Sequence, residues 1–208
     1  MIISEQKPRK EILEMLTDRK RIFIVGCAAC ATKCQTGGED EVKEMKRELE
    51  KEGKKITGTI VLDTPCDERI VKKDLSSLPA LKNSDSLLIM ACGVGLQTIG
   101  NLIDRLLVPA LNPLFAGTTE RIGRYYEYCS LCGDCLLDGF GGICPLTRCA
   151  KGLLNGPCGG ARDGKCEVND EVDCIWALIY EKTKEPLKTY YELRDYKKIL
   201  QPGKRVVR

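Results

Sequence analysis

Thirteen cysteines and no histidine occur among the 208 residues, and this pair of extremes limits the chemistry open to the chain. Without imidazole there is no Ser-His-Asp or Cys-His pair, and zinc sites that use histidine are excluded with them. An all-thiolate inventory suits Cys₄ zinc and iron–sulfur clusters, because soft sulfur matches those metals. The densest run is Cys129-x₂-Cys132-x₂-Cys135, followed after eight residues by Cys144-Pro145. Closely spaced thiolates can ligate neighbouring irons of one cubane while a remote Cys-Pro completes it. The bacterial ferredoxin run opens the same way but reaches its Cys-Pro much sooner, so its ligand assignments do not carry over. Cys149, Cys158, Cys166 and Cys174 are spaced widely enough for a second four-ligand site. Which thiols group together stays open at this level.

A second set lies earlier in the chain. Cys27-x₂-Cys30-x₃-Cys34 reverses the spacing of the radical S-adenosylmethionine pattern, and Cys92 offers a fourth ligand. A fully ligated site favours electron transfer or structure over substrate binding at iron, and zinc is a rival occupant. Thirteen thiolates fill three four-ligand sites with one left over; Cys66 is the spare, or replaces Cys34 or Cys92. The bland alternative for any one of them is that cysteine is a good small core residue. Gly93-Val94-Gly95-Leu96-Gln97-Thr98 lacks the third glycine of a dinucleotide fingerprint. A loop that lets the backbone turn closely around a cofactor held by Cys92 is expected instead.

The elements that must position these thiols alternate. Arg21–Gly26, Ile56–Leu62 and Ser86–Ala91 read as strands, and 39–55 reads as a helix with Val42, Met45 and Leu49 at helical spacing. Glu39/Lys43 and Glu50/Lys54 lie one turn apart along it in the favourable order. Gln97–Val108 is expected as a helix and Pro113–Gly117 as a fourth strand. This alternation implies a small parallel-sheet, flavodoxin-like α/β domain over residues 1–118. Cys27, Cys66 and Cys92 then fall at the C-terminal ends of strands, the edge where ligands bind in such sheets. Residues 119–208 form a loop-rich, cysteine-rich domain, too poor in apolar runs to build much core and therefore stapled by metal. Helices are expected near 175–180 and 188–200, with a basic tail at 202–208; Trp176 and the tyrosines at 190, 191 and 196 read as core or docking surface. Backbone N–H groups of the glycine-rich loops 139–142 and 156–160 are expected to donate to cluster sulfurs.

Composition bounds the setting. Thirty-three basic against 30 acidic residues give a net charge of +3, without the basic stripe of a nucleic-acid binder. The N-terminus has no apolar signal region, and the longest apolar stretch is interrupted by charges and prolines, so no membrane span is expected. A cytoplasmic location follows, where cysteine spacing reads as metal or redox chemistry rather than disulfides.

Leu154-Asn-Gly-Pro-Cys-Gly-Gly160, Gly164-Lys-Cys-Glu-Val168 and Asp173-Cys-Ile-Trp176 follow Cys129-Ser-Leu-Cys-Gly-Asp-Cys135 and Gly142-Ile-Cys-Pro-Leu-Thr-Arg-Cys149. Together they closely resemble the methylenetetrahydrofolate reductase C-terminal domain found in small, cysteine-rich MetV-type subunits. The first half of the chain matches such subunits more loosely, in size, order and cysteine placement. The resemblance implies a non-catalytic electron-transfer subunit of that reductase in acetogenic one-carbon metabolism (the Wood–Ljungdahl pathway). Its partner would be a MetF-type flavoprotein that carries flavin and folate, with a further electron-input subunit or ferredoxin upstream. The eight cysteines Cys129 to Cys174 would hold two [4Fe-4S] clusters. Cys27, Cys30, Cys34 and Cys92 would hold a third cluster or a zinc ion, and no flavin is expected on this chain. A zinc-stapled structural subunit is the alternative, and a stand-alone flavin enzyme is a third reading.

Overall fold

The computed structural model describes residues 1–184; the helix expected at 188–200, the tyrosines at 190, 191 and 196 and the basic tail lie outside the described residues. The chain divides into two compact units, Met1–Tyr126 and Glu127–Arg208. The expected division after residue 118 falls inside a strand of the first.

In the first unit the chain order is β1 (Ile2–Gln6), α1 (Arg9–Met15), β2 (Arg21–Cys27), α2 (Cys30–Lys33), α3 (Glu39–Lys51) and β3 (Lys55–Leu62). There follow α4 (Glu68–Asp74), α5 (Pro79–Lys82), β4 (Ser86–Met90), α6 (Gly93–Gly100), β5 (Leu106–Pro109), β6 (Leu111–Arg121) and β7 (Arg124–Cys129). A parallel sheet runs β3-β2-β4-β5, the order in which flavodoxin-like sheets begin. Its central strands β2 and β4 are continuous apolar runs because helices cover both faces: Ile22, Phe23, Ile24 and Val25 and Leu87, Leu88, Ile89 and Met90 are all at most 1% exposed. Register places Cys27 beside Leu62 and Gly26 beside Met90.

Helix α3 buries Val42, Met45 and Leu49, as their spacing requires. Its start is fixed by Glu41, whose carboxylate accepts the Gly38 N–H at 2.8 Å, one half of a capping box. Glu39 and Lys43 pair at 3.3 Å. Lys54 does not pair with Glu50; it donates to the carbonyls of Leu16, Thr17 and Arg19 at 2.5–3.3 Å. Those carbonyls lie at the C-cap of α1 and in the turn that follows, where the Leu16 carbonyl also accepts the Arg19 N–H at 3.0 Å, and three carbonyl acceptors outweigh one exposed carboxylate.

Two expectations change. The helix placed at 97–108 begins at Gly93, directly after Cys92, and ends at Gly100. Residues 106–109 instead form β5, because Leu107 and Val108 pair with Leu87 and Leu88 at the sheet edge. The strand expected near 113–117 is β6, and it belongs to a separate antiparallel sheet, β1-β6-β7. Ile2 pairs with Ala116 there and Gln6 with Leu111, a long-range contact that local patterning cannot reveal.

In the second unit a 3₁₀ turn (Leu137–Phe140), α7 (Pro145–Arg148) and α8 (Ile175–Thr183) are joined by irregular chain. Its buried apolar cluster is small: Phe140, Ile143, Cys174, Ile175, Trp176 and Ile179. No helix of the described residues is long and apolar enough to cross a membrane.

One packing constraint bears on the cysteines directly. A Cβ on Gly37 would lie 2.1 Å from the Met90 carbonyl oxygen, and the Gly37 carbonyl accepts the Cys27 N–H at 2.8 Å. Gly37→Ala is therefore expected to cost about 3 kcal/mol or more in urea unfolding, because backbone must move. Gly53→Ala, which meets nothing within 4 Å but has φ +77°, should cost only about 1 kcal/mol.

Candidate metal centres

The N-terminal thiols gather where the sheet dictates. Strands β3, β2 and β4 are neighbours and parallel, so the loops at their C-terminal ends meet at one edge. Cys27 is the last residue of β2, Cys30 opens α2, and Cys92 is the N-cap of α6. Cys66 lies in the turn after β3, closed by Asp67 N–H to the Thr64 carbonyl at 2.9 Å. That turn packs on α6: a Cβ at Gly95 would lie 3.3 Å from Pro65 Cγ. Gly95 is thus explained by helix-to-turn packing in the first turn of α6, not by a loop around a cofactor.

Electrostatics identifies the same four residues. Burial pushes the Cys27 thiol up; backbone hydrogen bonds at Ala31 and Ala29 oppose this, and negative charge at Cys30 and Cys92 adds to it. Burial likewise raises the Cys66 thiol, with further increments from Cys92, Cys30 and Asp67. Cys30 and Cys92 thus bear on both Cys27 and Cys66. Cys30 and Cys34 both meet Ile2 of β1: Cys30 Sγ accepts the Ile2 N–H at 3.5 Å, and Cys34 Sγ donates to the Ile2 carbonyl at 3.8 Å. The structure places Cys66 near Cys30 and Cys92, and Cys30 and Cys34 both against β1.

The eight later cysteines line two separate cavities. One, of about 400 Å³, is walled by Cys129, Cys132, Cys135 and Cys144. The other, of about 50 Å³, is walled by Cys149, Cys158, Cys166 and Cys174. This grouping was not readable from spacing alone. The two sets meet at one helical turn, since Cys144 is the N-cap of α7 and Cys149 its C-cap. At 1.5 Å of rise per residue that separates the two backbones by roughly 8 Å.

Local geometry around the sulfurs has the form of metal-binding turns. The Leu131 N–H donates to Cys129 Sγ and the Gly160 N–H to Cys158 Sγ, each at 3.4 Å and each from two residues on. Such turns require left-handed backbone, found at Leu131 (φ 55°), Gly133 (φ 87°) and Gly159 (φ 78°). Leu131 has a Cβ, so its conformation carries a strain of about 1–2 kcal/mol. The loop 139–142 does not supply such donors: Gly139 and Gly142 N–H bond the Leu136 and Leu137 carbonyls. Cys166 and Cys174 are fixed by backbone bonds to Val172 and Gly164 at 3.0 and 2.7 Å, with Lys165 and Asp173 paired at 2.7 Å.

Charge beside the smaller cavity is arranged around Glu167. It pairs with Lys151 at 2.7 Å and accepts from the Cys158 thiol at 3.3 Å. These bonds hold its carboxyl below the usual range, Lys151 first and Cys158 second. The Lys151 ammonium is raised by Glu167 and then by charge at Cys158 and Cys166. Neither residue stands out in the sequence, because they are sixteen positions apart in irregular chain.

None of the thirteen cysteines is in a disulfide. No three cysteine or carboxylate groups among the described residues are drawn in to the spacing of a single-ion site, so the grouping rests on shared walls, turns and mutual charge. The donor set fits thiophilic metal: each place offers four cysteine sulfurs, and backbone N–H groups already point at Cys30, Cys129 and Cys158. Trp176, whose buried indole N–H has no partner, is one of the residues that line the smaller cavity.

Comparison with known proteins gives one match. Residues 108–203 match the family model described as methylene-tetrahydrofolate reductase C terminal. No curated protein and no solved structure matches the chain. The match takes in the cysteine-rich part of the chain and the strands that lead into it, so this part is similar to the C-terminal region of methylenetetrahydrofolate reductases.

Proposed function

We propose that the chain is the metal-bearing, electron-transfer subunit of a methylenetetrahydrofolate reductase complex. In this reading Cys129, Cys132, Cys135 and Cys144 hold one iron–sulfur cluster, and Cys149, Cys158, Cys166 and Cys174 hold a second. Cys27, Cys30, Cys66 and Cys92 hold a third centre, a cluster or a zinc ion. Bound clusters would supply one-electron chemistry. The electrons pass to the flavin of a MetF-type partner, which reduces 5,10-methylenetetrahydrofolate to 5-methyltetrahydrofolate.

The observation that carries this reading is the pair of four-cysteine cavities joined through α7. Two thiolate sites about a helical turn apart suit relay of single electrons, whereas a structural staple has no need of a close neighbour. The protein's own part is to set the sulfur environment. Leu131 and Gly160 donate N–H groups, Lys151 places positive charge beside Cys158 and Cys166, and Phe140 and Ile143 give an apolar backing. Each of these stabilises electron density on sulfur or excludes water from it.

A second reading has one observation in its favour. The cavity of about 50 Å³ is much smaller than the one of about 400 Å³, and a single zinc ion needs less room than a cluster. Under that reading the second site staples the unit and the first alone is redox-active, or neither is.

Anaerobic purification with the neighbouring flavoprotein, counting iron, acid-labile sulfide, zinc and flavin, separates these readings. Brown protein that bleaches with dithionite, with iron and sulfide in equal amounts and flavin on the partner only, is expected. Colourless protein with zinc alone would leave the structural reading, and free thiols without metal would remove both. Single substitutions test the N-terminal ligand set: Cys66→Ser should lose that centre's metal while retaining the C-terminal complement, and Cys34→Ser should retain all of it. The reverse result would reinstate Cys34 as the ligand.

A further inference from the structure

Trp176 is the only tryptophan in the chain and is 2% exposed. Its position follows from α8, where Cys174 is the N-cap and the indole comes two residues later. The ring packs edge-on with Phe140, centroids 5.8 Å apart and planes at 90°. Its Nε1–H is buried with no hydrogen-bond partner. Buried indole N–H groups normally find an acceptor, because leaving one unpaired costs free energy.

The wall that Trp176 shares narrows the choice of acceptor. Its carboxylates are engaged: Glu167 with Lys151 and the Cys158 thiol, Asp173 with Lys165. Besides backbone carbonyls, the wall offers four sulfurs, of Cys149, Cys158, Cys166 and Cys174, none of which bonds the indole as a thiol. A thiol is a weak acceptor. A metal-bound thiolate is a far better one, and N–H groups around such sulfurs are a regular feature of thiolate centres.

We infer that the Trp176 indole N–H is a dedicated donor to a metal-bound cysteine sulfur of the Cys149/Cys158/Cys166/Cys174 centre. The inference rests on the proposed metal site but not on which metal fills it, since a zinc thiolate and a cluster thiolate both accept. Trp176 is then a positioning residue rather than core filler. Its hydrogen bond draws electron density from the sulfur, which makes the thiolate less reactive toward electrophiles and, at iron, raises the potential. The rival account of the orphan is an N–H contact with the face of the Phe140 ring.

The test uses the full chain, stripped of metal and reloaded with a spin-active cadmium isotope, with the indole nitrogen isotopically labelled. The single indole signal should move downfield on loading, exchange slowly with solvent deuterium, and show scalar coupling to the cadmium across the hydrogen bond. Trp176→Phe keeps the ring packing and removes the donor. It should bind the same amount of cadmium yet release it severalfold faster under alkylation by iodoacetamide. Cadmium bound in full with no coupling, an upfield indole signal set by Phe140, or an unchanged release rate would each overturn the assignment. Failure to bind cadmium at this set of thiols would instead overturn the metal-site reading beneath it.

Discussion

Sulfur ligands for one metal must be brought close together, yet as thiolates they repel one another until a cation is present. Burial is what chiefly raises the thiols at Cys27 and Cys66, and the smaller increments of the same sign from Cys30 and Cys92 are that repulsion. Whatever assembles such a group must therefore be held by forces that do not involve the sulfurs. In the first unit this is the parallel sheet. The Ala28 N–H bonds the Leu62 carbonyl at 2.8 Å, and Gly37 seats against Met90, so the backbone fixes where the thiols emerge. The buried β2 and β4 runs supply the hydrophobic free energy that offsets the crowding.

The second unit meets the same constraint without a sheet. Among the described residues its buried cluster has six members, too few to impose a unique loop geometry by packing alone. Short backbone devices take over: the two-residue N–H···S turns, the one-turn helix α7 between Cys144 and Cys149, and the bonds clamping Cys166 and Cys174. Left-handed Leu131, 64% exposed, is the place where the strain is most visible. A metal bound at these sulfurs would offset that strain, and structural metals can contribute on the order of 10–16 kcal/mol to small thiolate domains.

The parts legible in the sequence are those set by local pattern. Strands β2, β3 and β4 and helix α3 follow from apolar runs and helical spacing, and the parallel sheet follows from their alternation. The parts that were not legible depend on distant pairing. Strand β1 is recognisable only once β6 lies beside it, and β5 reads as helix until β4 claims it. Cysteine grouping behaves likewise. Cys66 looks solitary in the sequence, yet the sheet carries its turn to α6, which Cys92 caps, and β1 brings Ile2 to both Cys30 and Cys34. Trp176 was read as core, and it is core; the unpaired nitrogen becomes visible only when every acceptor around it has been assigned.

Exposure distinguishes the two C-terminal centres in a way that bears on electron flow under the proposed reading. Cys129 and Cys135 are exposed at the larger cavity, while at the smaller one Cys158 is exposed and Cys174 buried, and the wall of the larger cavity carries exposed apolar groups at Tyr128, Leu131 and Leu137. Burial lowers the local dielectric and makes added charge on a cluster costlier, whereas N–H donors and nearby cations relieve that cost. The smaller site is the more enclosed, and Lys151 and the Trp176 indole lie on its wall. These compensations fall where desolvation is greatest. Their placement fits an inner centre tuned by its surroundings and an outer centre left open for exchange with a partner.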